Sequence, residues 1–178
     1  LAGEKYCISF NKHYQMDTVV FRIANPYGPR SQMKHNKYSM VNWFLRLAME
    51  GKDITIFGDG SQLRDYIYID DLTEAFAAVG ASPRSNGQIY NVGSGVGTKF
   101  IDMANQIIKI VGRGQIVTKP WPKDYENVET GDYISDITKL KEHTGWTPKT
   151  IFKEGLQRTV EYYKTRLARY IETNGCKL

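Results

Sequence analysis

Apolar positions along this chain alternate between a strand rhythm and a helix rhythm. Residues 18–24 (Thr-Val-Val-Phe-Arg-Ile-Ala) form a nearly continuous β-branched and apolar run, the pattern of a strand covered on both faces of a parallel sheet. Asn25-Pro26-Tyr27-Gly28-Pro29 ends it, because two prolines and a glycine forbid regular continuation. Ahead of it, residues 1–16 read as helix interior with no capping residue in front, the expectation for a chain cut within a helix. Residues 38–50 carry a helical apolar stripe that Gly51 is placed to close. Residues 53–57 predict a short strand. Asp71, with Glu74 three positions on, predicts a capping box for a helix through Val79 that fades at Ser82-Pro83. Residues 88–92 return to the strand pattern and stop at Gly93-Ser94-Gly95. Thr98 is then expected to cap a helix with Phe100, Ile101, Ala104, Ile107, Ile108 and Val111 on one face. A short strand at 115–118 and an irregular loop at 119–130 follow. Asp136 is expected to cap a short helix ending at Gly145, and a last helix begins near Phe152. Strands alternating with helices define an α/β chain.

The most informative stretch is residues 58–72, Gly-Asp-Gly-Ser-Gln-Leu-Arg-Asp-Tyr-Ile-Tyr-Ile-Asp-Asp-Leu. It sets Arg64 at the mouth of a strand beside a glycine-flanked turn, where a planar guanidinium can grip phosphate through two hydrogen bonds. The alternative is that Arg64 pairs with Asp65, Asp70 or Asp71. Loops after strands are the places to look for ligands in open α/β sheets. Asn25 follows a strand directly, and its amide either meets a ligand or satisfies turn backbone. Gly93-Ser94-Gly95 has the look of a small anion nest or of a plain turn. Phe57 either stacks on a flat ring or belongs to the core.

Composition narrows the classes without choosing among them. The 178 residues are 41% apolar and 24% charged, ordinary for a globular protein, with a net charge of +5 spread among acidic neighbours. That scatter argues against a nucleic-acid groove. No apolar run approaches the roughly 20 residues of a membrane span. Cys7 and Cys176 make neither a disulfide framework nor a zinc spacing, so no metal site is expected and a reducing cytoplasm is the default.

Four segments in order, Arg22-Ile-Ala-Asn25-Pro-Tyr-Gly-Pro29-Arg30, residues 58–72, Tyr90-Asn-Val-Gly-Ser-Gly95 and Asp136…Gly145-Trp146-Thr-Pro148, resemble the C-terminal half of extended short-chain dehydrogenase/reductases acting on nucleotide sugars. These are the NAD-dependent epimerases and dehydratases, such as UDP-glucose 4-epimerase. The resemblance implies a Rossmann-type sheet contributing its C-terminal strand and helix, plus a small mixed α/β substrate-binding domain. Residues 1–28 would supply the last helix and strand of the NAD-binding domain. Residues 29–178 would bind the nucleotide sugar, with 71–97 returning to the Rossmann sheet. It also implies that Asn25 contacts the sugar diphosphate, that Arg64 bonds to phosphate, that Phe57 flanks the base, and that Asn91 is structural. Asp70-Asp71-Leu72 is the epimerase-like form of its segment; dehydratases of the group tend to carry histidine after the first aspartate.

Two departures from the family pattern stand out. Where relatives carry arginine in an Arg-x-Gly-Asp segment, this chain has Glu129-Thr130-Gly131-Asp132, so the diphosphate would rely on Arg64 alone or recruit Lys123 or Arg30, or the sugar nucleotide would be a nonstandard one. The glycine-rich dinucleotide motif and the catalytic Tyr-x-x-x-Lys pair would lie upstream of Leu1. The expectation is therefore a substrate-binding part of a nucleotide-sugar 4-epimerase, inactive alone and lacking most of the NAD site, with a 4,6-dehydratase fragment as the alternative. A non-catalytic module associating through its first helix and exposed sheet edge, as a homodimer for instance, is a second class.

Overall fold

The computed structural model describes residues 1–123 and 131–171. In chain order the elements are α1 (Ala2–Tyr14), β1 (Val20–Ile23), β2 (Asn25–Tyr27), α2 (Met40–Met49), β3 (Ile54–Phe57), β4 (Leu63–Tyr68), α3 (Ile69–Gly80), β5 (Ile89–Val92), β6 (Gly97–Lys99), α4 (Phe100–Val111), β7 (Ile116–Lys119), α5 (Thr138–Thr144), α6 (Phe152–Lys164) and α7 (Leu167–Ile171). β1 runs parallel to β5, β3 runs parallel to β7, and β4 lies between β2 and β6. The α/β class and its parallel strands follow the apolar pattern.

The chain forms two compact units, each assembled from three separate segments. Unit 1 comprises residues 1–26, 65–97 and 134–150, and unit 2 comprises 27–64, 98–133 and 151–178. The chain changes unit at 26/27, 64/65, 97/98, 133/134 and 150/151. A further segment, 134–150, also joins unit 1.

Unit 1 packs α3, β5 and α5 around Ile67, Leu72, Ala75, Val79, Tyr90, Val92, Leu140 and Trp146, with Phe21 and Ile137 against the edge. Phe21 ties β1 to this core through Phe76 (centroids 4.7 Å apart) and Tyr90 (6.4 Å). The apolar run at 18–24 predicts cover on both faces, yet Arg22 and Ile23 are exposed. Arg22 reaches α1 instead, with Nε and Nη2 donating to Glu4 Oε1 and Oε2, both at 2.8 Å. That bidentate bond holds the Glu4 carboxyl below its ordinary range. α1 itself has no buried residue, and Tyr6, Phe10 and Tyr14 are exposed.

Unit 2 buries Met33, Phe44, Leu45, Ala48, Ile54, Ile56, Met103, Ala104, Ile107, Leu156, Val160 and Tyr163, so α2, α4 and α6 each bury an apolar stripe, with α4 packed against both other helices and α2 also against β3. Phe44 meets Phe100 edge-on at 5.5 Å. Ser39 accepts from the Asn42 N–H and caps α2, and Gly51, at φ 70, lies just past its end. Gly145 closes α5 in the same left-handed way.

The other helix starts differ from expectation. α3 begins at Ile69, α4 at Phe100 and α5 at Thr138, and none has a side-chain cap hydrogen bond. Thr98 lies in β6, and Asp136 closes a local turn by accepting from the Thr138 N–H at 2.9 Å. Asp71, at 3% exposure, is drawn away from its own helix end. It accepts from the N–H groups of Lys149 (3.2 Å) and Thr150 (2.9 Å), while Glu74 pairs with Lys149 Nζ at 2.7 Å. A buried carboxylate needs donors more than an exposed helix start needs a cap.

Candidate functional site

The turn between β3 and β4 is built to be rigid. Asp59 Oδ1 accepts from the N–H (2.9 Å) and hydroxyl (2.7 Å) of Ser61, and the backbone bond leads the effects holding this carboxyl below its ordinary range. Carbonyls of Gly60 and Gln62 accept from the N–H groups of Ile101 (2.9 Å) and Phe100 (3.0 Å), fastening the turn to the start of α4. Gly60 must be glycine here: φ is 68, and a β-carbon would stand 3.0 Å from Ile101 Cβ and 3.1 Å from its backbone nitrogen.

On one side of this turn stands an aromatic pair. Phe57 is 37% exposed at the end of β3, and Trp121 lies 5.7 Å from it at a tilt of 36°. The Trp121 indole covers Gly58, whose missing side chain makes room for it; an added Cβ would come within 2.6 Å of Nε1. Trp121 is a residue that the sequence patterns did not single out, since it sits in a stretch without periodicity and reaches Phe57 only through the β3–β7 pairing.

On the other side stands Arg64, half-buried in β4. Its Nη1 donates to the carbonyls of Leu63 (2.9 Å) and Gly131 (2.6 Å). The same strand end is braced by Asp132 Oδ1, which accepts from the Leu63 N–H at 2.7 Å, and by Leu63 O, which accepts from the Tyr133 N–H at 3.0 Å. Segment 131–133 therefore aims the guanidinium. Lys123 is exposed. Arg30 is exposed and has a left-handed backbone, φ 66. Glu129, which stands where relatives carry arginine, lies outside the described residues.

Unit 1 begins again at Asp65, the residue after Arg64. Asp65, fully buried, turns its carboxylate the opposite way from Arg64. Its Oδ1 accepts from the Ser94 N–H (2.7 Å) and hydroxyl (2.5 Å), and its Oδ2 from the N–H groups of Gly95 and Ser135 (both 3.1 Å). The Gly93-Ser94-Gly95 nest is real, and the anion in it is this carboxylate. Gly93 is required by the same packing, since a Cβ would stand 2.1 Å from Asp65 Oδ2. Asn25, exposed, donates from Nδ2 to the Asp65 carbonyl at 3.0 Å. Asp71 is likewise engaged, by residues 149–150. Among the described residues no group of three His, Cys, Asp or Glu stands ready to hold a metal, and no helix is long and apolar enough to cross a membrane.

A parallel-stranded α/β chain with an aromatic pair before one short turn and an anchored arginine after it suits an enzyme class that handles nucleotides. Residues 1–93 match the NAD dependent epimerase/dehydratase family, and the chain belongs to it. It is similar to the UDP-glucose 4-epimerase of Mycolicibacterium smegmatis, 34% identical over 93% of this chain and 51% of that protein. It is also 34% identical to an Arabidopsis thaliana trifunctional UDP-glucose 4,6-dehydratase/UDP-4-keto-6-deoxy-D-glucose 3,5-epimerase/UDP-4-keto-L-rhamnose-reductase, over 99% of this chain and 26% of that one. Among solved structures, the UDP-glucose 4-epimerase of Thermotoga maritima with UDP-glucose matches at a TM-score of 0.83 and 34% identity, covering 93% of this chain and 52% of that one. The chain thus spans about half the length of the epimerases it matches.

Proposed function

We propose that these residues bind the nucleotide diphosphate of a UDP-sugar for an NAD-dependent nucleotide-sugar 4-epimerase, with Arg64 on the phosphates and Phe57 and Trp121 against the base. The observation that carries this reading is a short, doubly fastened turn, 58–62, that joins a partly exposed aromatic pair to an aimed guanidinium. Base stacking and charge-assisted phosphate bonds are the two interactions a nucleotide needs. All of these groups lie in unit 2, and the reading rests on that unit alone. Lys123, exposed near the end of β7, is a candidate for a further phosphate contact. The Asp70-Asp71-Leu72 form of its segment favours epimerase over dehydratase, whereas the two relatives, at equal identity, do not separate them.

NAD, the cofactor of the family, would supply a hydride acceptor and donor. The glycine-rich turn after β5 does not fit a dinucleotide pyrophosphate, because its N–H groups already hold Asp65. The 178 residues contain no Tyr-x-x-x-Lys. What they contribute is binding and orientation. Calorimetry of UDP-glucose with the 178-residue chain tests this: binding should weaken at least about tenfold in Arg64→Ala and recover in part in Arg64→Lys. Absent binding, or binding indifferent to Arg64, would overturn it.

A second reading, association with another copy through α1 and β1, is favoured by the exposed Tyr6, Tyr14 and Ile23. Sedimentation showing a monomer at high concentration would dismiss it.

A further inference from the structure

Asn86 and Gly87 stand in the turn before β5, exposed to solvent. An Asn-Gly pair is open to self-modification, because glycine puts no side chain in the way of its own nitrogen. Here both partners of that reaction are tied. The Gly87 N–H donates to the Thr18 carbonyl at 2.7 Å. Asn86 Oδ1 accepts from Asn11 Nδ2 at 2.7 Å and from the Thr18 N–H at 3.3 Å, and Asn86 Nδ2 donates to Asp17 Oδ1. Asn11 Nδ2 also donates to the Met16 carbonyl at 2.9 Å. A single amide thus joins α1, the 16–18 turn and the turn before β5, all within unit 1. That junction matters to α1, which buries no residue. The helix meets the rest of unit 1 through polar bonds, here and where Thr18 Oγ1 donates to the Cys7 carbonyl (3.1 Å) and Arg22 to Glu4.

We infer that Asn86-Gly87 is a deamidation site held closed by the docking of α1, and that its modification releases the helix. In the reaction the Gly87 nitrogen gives its proton to water and attacks Asn86 Cγ. An N–Cγ bond forms, the Cγ–Nδ2 bond breaks, and ammonia leaves. Water then opens the cyclic imide at either carbonyl, leaving aspartate or isoaspartate at position 86. Water replaces ammonia, and nothing is oxidised or reduced. In the folded chain the nitrogen must first leave Thr18, and the amide must leave Asn11 and Asp17. Ring closure also requires Asn86 Cβ and the Gly87 nitrogen to eclipse about the Cα–C bond, which ψ 131 at Asn86 does not allow. The rate therefore follows local opening of this corner rather than exposure. Either product exchanges the amide donor for a carboxylate next to Asp17, so attraction gives way to repulsion. The site concerns unit 1 alone and does not depend on the nucleotide reading.

The test is peptide mass spectrometry of the 178-residue chain aged at neutral pH, in native buffer and in urea, read on the peptide that holds residue 86. A second Asn-Gly pair, Asn174-Gly175, lies outside the described residues and is resolved on its own peptide. Conversion at 86 should run at least about tenfold slower in native buffer than in urea, and should give isoaspartate as well as aspartate. Asn11→Ala, which frees Asn86 Oδ1, should raise the native rate toward that in urea. In Asn86→Asp, hydrogen exchange across residues 2–14 should quicken about tenfold while α3 keeps the parent's rates. Equal conversion in the two solvents would overturn the guard, and aspartate without isoaspartate would overturn the imide route. Unchanged exchange of α1 in Asn86→Asp would overturn the release of the helix. The comparison of solvents uses the parent chain, so it decides the guard whether or not either variant folds.

Discussion

Arg64 and Asp65 are adjacent in β4 and do opposite work because a strand sends neighbours to opposite faces. One side chain is aimed by backbone carbonyls in unit 2; the other is buried and neutralised by donors in unit 1. The arrangement makes Asp65 a structural residue with a large expected effect. Asp65→Asn replaces one acceptor by a donor facing N–H groups, and should cost about 3 kcal/mol, read as a fall in the urea midpoint of the tryptophan fluorescence transition. A midpoint unchanged from the parent chain would show that the turn at 93–95 holds itself. The sequence leaves Gly93-Ser94-Gly95 open between a nest and a plain turn and does not show the anion, which arrives from a distant strand through tertiary pairing.

At the scale of elements, the apolar rhythm locates α2, α3, α4, α6 and the parallel strands, because burial of one face decides both, whereas α1 buries no residue. Short elements are less legible. β2 contains Pro26, and β6 is three residues long, so neither has a period to read. Caps fail for a different reason: an aspartate near a helix start is equally suited to serve any buried donor that folding brings to it. Asp71 serves the segment leading to α6. Asp71→Ala should therefore lower stability by about 2 kcal/mol, whereas Lys149→Ala, which removes only an exposed ion pair with Glu74, should change it by less than about 0.5 kcal/mol. Equal effects of the two variants in urea unfolding would mean that the ion pair, rather than the buried backbone donors, is what Asp71 supports.

Over the whole molecule, the two units are invisible to a linear reading. The chain passes between them five times without a linker or a change of composition, so no local signal marks a boundary. The pH response should nonetheless identify unit 2. Tyr163 is fully buried, and burial first, then Tyr170, pushes its phenol above the ordinary tyrosine range. Below the unfolded pKa of about 10, both states keep the proton and stability is unaffected. Above it the unfolded chain releases the proton while the folded one retains it, so stability falls as pH rises. Tyr163→Phe should flatten that alkaline loss relative to the parent in urea titrations across about pH 9 to 11; an unaltered slope would exclude Tyr163 as its source.

The family and the fold are established by pattern, likeness and structure together, and the nucleotide site is the central proposal. It is tested most directly by a ¹⁵N NMR titration of the chain with UDP. The expected result is saturable shifts concentrated at Phe57, the 58–62 turn, Arg64, the Trp121 indole and residues 131–133. Shifts confined to other surfaces, or none at saturating UDP, would contradict the account.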